Sequence, residues 1–183
     1  MTEPEVESNV YEGEYKEDGK YHGKGVMKYT NGDVYEGEFR DGGCCGRGVY
    51  TSVGGDVYEG EFKDNVKHGR GVYRFADVSL YVDKYKYLRS YEGEFKDGKI
   101  HGVGILTYHN GDVYKGDFVD GKKHGKGLYI FVEGTTYEGE WKDNKKHGEG
   151  MMKYMNGDVF EGIFKDDQPC SPMFGFAQSC SIS

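Results

Sequence analysis

The sequence predicts an all-β chain, a single antiparallel sheet laid down as tandem hairpins, and three observations carry that prediction. A short aromatic-x-Gly-x-aromatic string recurs along the chain, and the residues around it alternate with a period of two. Composition agrees: Gly and Tyr number 31 and 17 of 183 residues, against 3 Pro. Apolar surface must then come mainly from rings standing on strands, not from an aliphatic helical core.

The string reads YEGEY at 11, YEGEF at 35, 58 and 91, YKGDF at 114, YEGEW at 137 and FEGIF at 160, so successive starts lie 24, 23, 33, 23, 23 and 23 residues apart. A fixed period of this size marks an array whose units contact mainly their neighbours. In the unit at 91, Tyr91, Gly93 and Phe95 share one face and Glu92, Glu94 and Lys96 the other. Its second arm sets Gly102, Gly104, Leu106 and Tyr108 against Val103, Ile105 and Thr107, the alternation of a half-buried strand. KDGKIHG and HNGD supply the Gly and Asn that tight turns need where φ is positive. Each unit is therefore one hairpin. The array covers 10–164, residues 1–9 form a flexible acidic lead-in, and 165–183 form a cap or tail.

The unit at 58 carries ADVSLYVDKYKYLRS at 76–90, ten residues more than its neighbours need. Five added to each arm would lengthen the hairpin without flipping its faces, with the turn at Asp83-Lys84. Val78, Leu80, Val82 and Leu88 would then share one face, and Tyr81, Tyr85 and Tyr87 the other. Such a poorly covered extension suits a contact surface; the alternative is a loop folded back on the array. The last unit starts with Phe160, Gly162 and Phe164, but QPCSP replaces the glycine turn, and Pro169 and Pro172 are expected to forbid ordinary pairing. Ile163, Phe164, Met173, Phe174 and Phe176 would cap the last hairpin or form a homodimer contact.

YEGEFKDGKIHGVGILTYHNGDV at 91–113 closely resembles the MORN (membrane occupation and recognition nexus) repeat, and the likeness extends over 11–164. The resemblance implies an elongated, twisted antiparallel hairpin sheet with a groove, used as a scaffold or docking surface in cytoskeletal, ciliary or flagellar proteins. It implies no chemistry. Two departures stand out: Cys44-Cys45-Gly46 replaces a Lys-His-Gly turn, and the first turn, EDGKYHG, carries one extra residue.

A net charge of −8 argues against generic nucleic-acid binding. MTEPEVESN lacks the regions of a signal peptide and no stretch approaches 18 apolar residues, so a soluble cytoplasmic protein is expected. Cys44, Cys45, Cys170 and Cys180 show no CxxC spacing and read as free thiols. Paired carboxylates such as Glu59 and Glu61 stand about 6.5 to 7 Å apart, near the separation of inverting glycosidases. They recur on the polar face without a walled pocket, so they read as solvated. His22, His68, His101, His124 and His147 would lie about 10 Å apart, too far to share an ion held at about 2.0 to 2.1 Å. HGKG and HGRG lack the phosphate-loop spacing. Similar repeats precede catalytic domains in some lipid kinases and SET-domain methyltransferases, but the roughly 19 residues after the last motif are too few for one. No catalytic residue, metal or cofactor is expected.

What remains is binding. The first expectation is a non-catalytic scaffold that takes a protein segment, such as an amphipathic helix, in a groove of Tyr91, Phe95, Tyr108, Tyr114, Phe118, Tyr129, Phe131, Tyr137, Trp141 and Tyr154. The alternative is a membrane-surface adaptor. It would present Lys67, Lys99, Lys122, Lys123, Lys145 and Lys146 along one basic edge to anionic phospholipid, at about 1 kcal/mol per cation.

Overall fold

The computed structural model describes residues 8–76 and 88–172. Among them every regular element is a strand: β1 (Val10–Tyr15), β2 (Tyr21–Lys28), β3 (Val34–Arg40), β4 (Gly43–Thr51), β5 (Val57–Lys63), β6 (Val66–Arg74), β7 (Leu88–Lys96), β8 (Lys99–Tyr108), β9 (Val113–Val119), β10 (Lys122–Ile130), β11 (Thr136–Lys142), β12 (Lys145–Lys153), β13 (Val159–Lys165) and β14 (Gln168–Pro172). They form an open antiparallel sheet of 14 strands whose spatial order is the chain order. Two compact units divide the chain at Ile100 and His101, and both follow the same local rules.

Each odd strand and the even strand after it make one repeat. The turn between them is short because two residues both take positive φ, as at Asp64 and Asn65 (49° and 68°) or Asp143 and Asn144 (48° and 72°). Such a pair matches the twist of the flanking strands, and Asp and Asn tolerate it better than most side chains. The extra residue of the first repeat gives a different turn: Lys16 N–H bonds Lys20 O and Gly19 N–H bonds Lys16 O, with Gly19 at φ 79°. That is a three-residue loop closed by a left-handed glycine.

Inside the hairpin the register slips by two residues. Gly13 faces Gly25 while Glu14 faces His22, and the same step recurs between Gly37 and Glu38, Gly60 and Glu61, and Gly139 and Glu140. The carboxylate beside the step accepts the N–H freed by the bulge: Lys24 to Glu14 (3.1 Å), Arg47 to Glu38 (3.0 Å), Arg70 to Glu61 (3.0 Å), Lys126 to Asp117 (2.9 Å). The second carboxylate of EGE is thus part of the backbone's own accounting.

The core lies on one face. Tyr35, Tyr58, Tyr91, Tyr114 and Tyr137 have no exposed surface. Tyr35 and Tyr114 lie against a glycine of the next strand: a Cβ on Gly48 or Gly127 would come within 2.5 to 2.6 Å of their ring atoms. The hydroxyl hydrogen is shared between backbone carbonyls, Glu38 at 3.0 Å and Cys45 at 3.2 Å for Tyr35. Edge-to-face contacts then join repeat to repeat. Tyr35 meets Phe62 at 4.8 Å and Tyr58 meets Phe95 at 4.9 Å in the first unit; Tyr114 meets Trp141 at 5.2 Å and Tyr137 meets Phe164 at 4.9 Å in the second. Each such pair adds about 0.5 to 1.5 kcal/mol beyond its burial.

The seventh repeat corrects the sequence reading. β14 pairs with β13, Pro169 opposite Phe164 and Pro172 opposite Gly162, so the prolines do not prevent the hairpin. The reason is visible one and two repeats earlier. The N–H of Lys123 and of Lys146, which stand at the position of Pro169, points to the following repeat and bonds Asn144 and Asp167 Oδ1 (both 2.9 Å). Pro169 removes a donor that faces the sheet's edge, the one place a strand tolerates proline.

Candidate docking face

Repeats are fastened to one another at both ends of the hairpin, and these fastenings shape the ring face. At the turn end, Asn65, Asn144 and Asp167 donate their N–H to the carbonyls of Cys44, Lys123 and Lys146 (3.1, 3.0 and 3.0 Å), and their side chains accept the N–H of the same residues. At the loop end, Asp33, Asp56 and Asp112 each reach into the next repeat. Asp112 accepts Tyr129 OH (2.7 Å) and Val132 N–H (2.9 Å), and Asp56 accepts Tyr73 OH and Ala76 N–H (both 2.7 Å). Asp33 holds Tyr50 OH and Val53 N–H in the same way. The hydroxyl of Tyr50 keeps the Asp33 carboxyl below its ordinary pKa. Burial pushes against ionisation of Asp112, yet the bonds from Tyr129, Asn110 and Val132 hold it below the ordinary value too.

This clasp was missed in the sequence, although a signal exists there. Tyr occupies the donating position where an Asp stands 17 residues earlier in three repeats: Asp33 and Tyr50, Asp56 and Tyr73, and Asp112 and Tyr129. Where Val10, Arg89 or Thr135 stands instead, the later residue is Met27, Leu106 or Met152. A hydroxyl appears only with its carboxylate.

The ten rings expected to line a groove sort into two layers. In the first unit Tyr91 and Phe95 are buried. In the second, Tyr114, Phe118, Tyr137 and Trp141 are buried, Tyr108, Tyr129 and Phe131 are half-buried, and Tyr154 is 43% exposed. The first layer is the core that seats the second. Tyr129 shows how: clasped by Asp112, it lies 4.6 Å from Phe131, 5.7 Å from Tyr108 and 6.0 Å from Trp141. In the first unit Tyr50, Tyr73 and Phe75 form the corresponding half-buried layer.

The six lysines expected along one basic edge divide between two surroundings, because adjacent strand residues face opposite ways. Lys122 and Lys145 are exposed and pair with Asp143 (2.9 Å) and Asp166 (3.4 Å) of the next repeat; Lys99 is exposed as well. Lys67, Lys123 and Lys146 are half-buried on the ring face. Lys123 Nζ stands 4.4, 4.8, 5.5 and 5.8 Å from the rings of Trp141, Tyr129, Tyr114 and Tyr108. Burial lowers its pKa to about 8, and lowers those of Lys67 and Lys146 as well.

On the opposite face, Glu12 and Glu59 pair with Lys28 (3.0 Å) and Arg74 (3.7 Å). Among the described residues no cluster of His, Cys, Asp or Glu is arranged to hold a metal ion, and no helix is long and apolar enough to cross a membrane. Cys44 is buried against Tyr29, Cys45 is half-buried and Cys170 is exposed, all three unpaired. Of the insertion, Leu88 opens β7, whereas Val78, Leu80, Tyr81, Val82, Tyr85 and Tyr87 lie outside the described residues. Of the expected cap, Phe164 is buried against Tyr137 and Ile163 is 37% exposed; Met173, Phe174 and Phe176 lie outside.

The MORN repeat pattern matches residues 11–34, 35–57, 58–77, 91–113, 114–136 and 137–159. The chain belongs to the MORN repeat family. No curated protein matches it at a significant level. Among solved structures, the array is similar to the TCP10 domain of Danio rerio CPAP in complex with a peptide of Danio rerio STIL, at 15% identity and a TM-score of 0.49. That match covers 84% of this chain and 64% of the other, so the MORN chain spans just under two thirds of it. It is similar also to the TCP10c domain of Drosophila melanogaster Sas-4, at 14% identity and a TM-score of 0.43, covering 86% of both chains.

Proposed function

We propose that this MORN array is a non-catalytic scaffold that docks a segment of a protein partner on its half-buried rings. One observation carries the reading. In the second unit Tyr108, Tyr129 and Phe131 are fixed from beneath by the buried rings, and among the described residues every regular element lies in the sheet itself, leaving none to cover them. Rigid rings held in one orientation bury large area at small entropic cost, which suits binding hot spots. The family resemblance adds the setting, a cytoskeletal or ciliary assembly, to be checked by microscopy of a tagged copy.

The binding test must avoid the buried layer. Tyr114→Ala or Tyr137→Ala would remove a fully buried ring and lose partner recovery by unfolding alone. Phe131→Ser with Tyr154→Ser changes only the upper layer. Cross-linked purification and mass spectrometry identify direct partners, and recombinant recovery with the double variant follows. Undiminished recovery by a variant of unchanged melting temperature would rule the ring face out.

A further inference from the structure

The ring face of the second unit carries two half-buried cations that make no direct ion pair among the described residues, with Asp112 and Asp167 acting on them only at a longer distance. Among the described residues, neither Lys123 Nζ nor Lys146 Nζ has a carboxylate within ion-pair distance or a hydrogen-bond acceptor; both meet ring faces, Lys146 at 5.4 Å from Tyr137 and 5.6 Å from Phe131. Neither ammonium is sealed off, since the fully buried unsatisfied atoms are histidine nitrogens. The neighbouring lysines Lys122 and Lys145, one residue earlier, are each matched to an Asp. Unmatched ammonium groups ringed by aromatic surface fit an anion that brings apolar groups with it.

Spacing narrows the occupant. Lys123 on β10 and Lys146 on β12 are two strands apart, about 10 Å. An α-helix advances about 10.5 Å in seven residues, so one lying across the strands keeps step with the repeat. We propose that the second unit docks an acidic amphipathic helix, with carboxylates seven residues apart on Lys123 and Lys146 and the apolar residues between them on Tyr129 and Phe131. The inference rests on the docking reading above and adds the partner's chemistry. Burial lowers the pKa of both lysines, as expected where the cations await an anion, with Asp167 and Asp112 partly opposing that shift at Lys123 and Asp167 at Lys146. The first unit has Tyr21, Cys44, Lys67 and Ile100 at the equivalent positions, one lysine only, and so serves as an internal control.

Fluorescence anisotropy of the full chain tests this with a labelled three-heptad peptide of Ala and Leu carrying one Glu per heptad. The Glu peptide should bind roughly tenfold or more tighter than its Gln counterpart at low salt, with the gap closing at high salt. Lys123→Met with Lys146→Met should abolish that preference, whereas Lys67→Met, or Lys122→Met with Lys145→Met, should leave it. Equal binding of Gln and Glu peptides, or tighter binding of a Lys peptide, sinks the acidic helix and leaves ring docking standing; neither readout needs a protein variant. Absence of Glu-peptide binding also overturns it, as does flotation with phosphatidylserine vesicles that depends on Lys123 and Lys146 while the peptide stays free. Recovery of a natural partner, lost in the Phe131 and Tyr154 variant, decides the docking reading separately.

Discussion

Two repeat junctions in the second unit are built from opposite materials. Where the repeat at 91 meets the repeat at 114, the loop end is polar: Asp112 holds Tyr129 and Val132. Where the repeat at 114 meets the repeat at 137, Thr135 and Met152 stand in those places, and the turn end does the fastening through Asn144 and the Lys122–Asp143 pair. In the first unit the loop-end clasp of Asp33 is accompanied at the turn end by the Lys16–Asp41 pair, and that of Asp56 by Asn65. The side-chain fastening can sit at one end or at both, which is why the motif tolerates variation at each.

Breaking the polar junction should have the largest effect. Asp112→Ala leaves the half-buried Tyr129 hydroxyl and the Val132 N–H without their acceptor, at about 2 kcal/mol in urea unfolding, against under about 0.5 for Thr135→Ala. The carboxyl's pKa is lowered in the folded state, so its contribution is present above about pH 4 and is lost as the solution is acidified further. The Asp112→Ala gap should therefore shrink near pH 3.

Lys123 sits between these junctions and sharpens the comparison in the alkaline range. Its folded pKa of about 8 lies below the unfolded value of about 10.4, so between the two the unfolded chain holds more protons and stability rises with pH. Wild type should gain on Lys123→Met by on the order of 2 kcal/mol from pH 7.5 to pH 10. A flat difference would mean that the ammonium is solvated, not enclosed by Trp141 and Tyr129.

Much of this was legible in the sequence. Period-two alternation around YEGEF placed strands, faces and turns, because a strand facing solvent on one side writes its register into its residues. What the alternation could not give was depth: Tyr114 and Tyr129 stand on one face, yet only the glycines beneath Tyr114 let it sink out of contact with solvent. The two lysines of KKHG looked like one edge because charge was read without the pleat. Pro169 looked like a breaker because the N–H that a proline lacks was taken as one needed by its own hairpin partner.

A graft tests whether the two materials are interchangeable. Thr135→Asp alone places a carboxylate beside an apolar side chain, and Met152→Tyr alone places a hydroxyl without its acceptor, so each should be neutral or destabilising. Together they should rebuild the Asp112–Tyr129 geometry one repeat later, with a favourable coupling of about 1 to 1.5 kcal/mol in a double-mutant cycle.

The smallest effect belongs to the turn end. Asn144→Gly keeps the backbone bond to Lys123 and can take the 72° φ without strain, but it deletes the side-chain acceptor for the Lys123 N–H. The expected loss is about 1 kcal/mol by urea unfolding. Combined with the graft at 135 and 152, the loss should fall, since the junction would then be fastened from its other end. A loss unchanged by the graft would show that the two ends act independently.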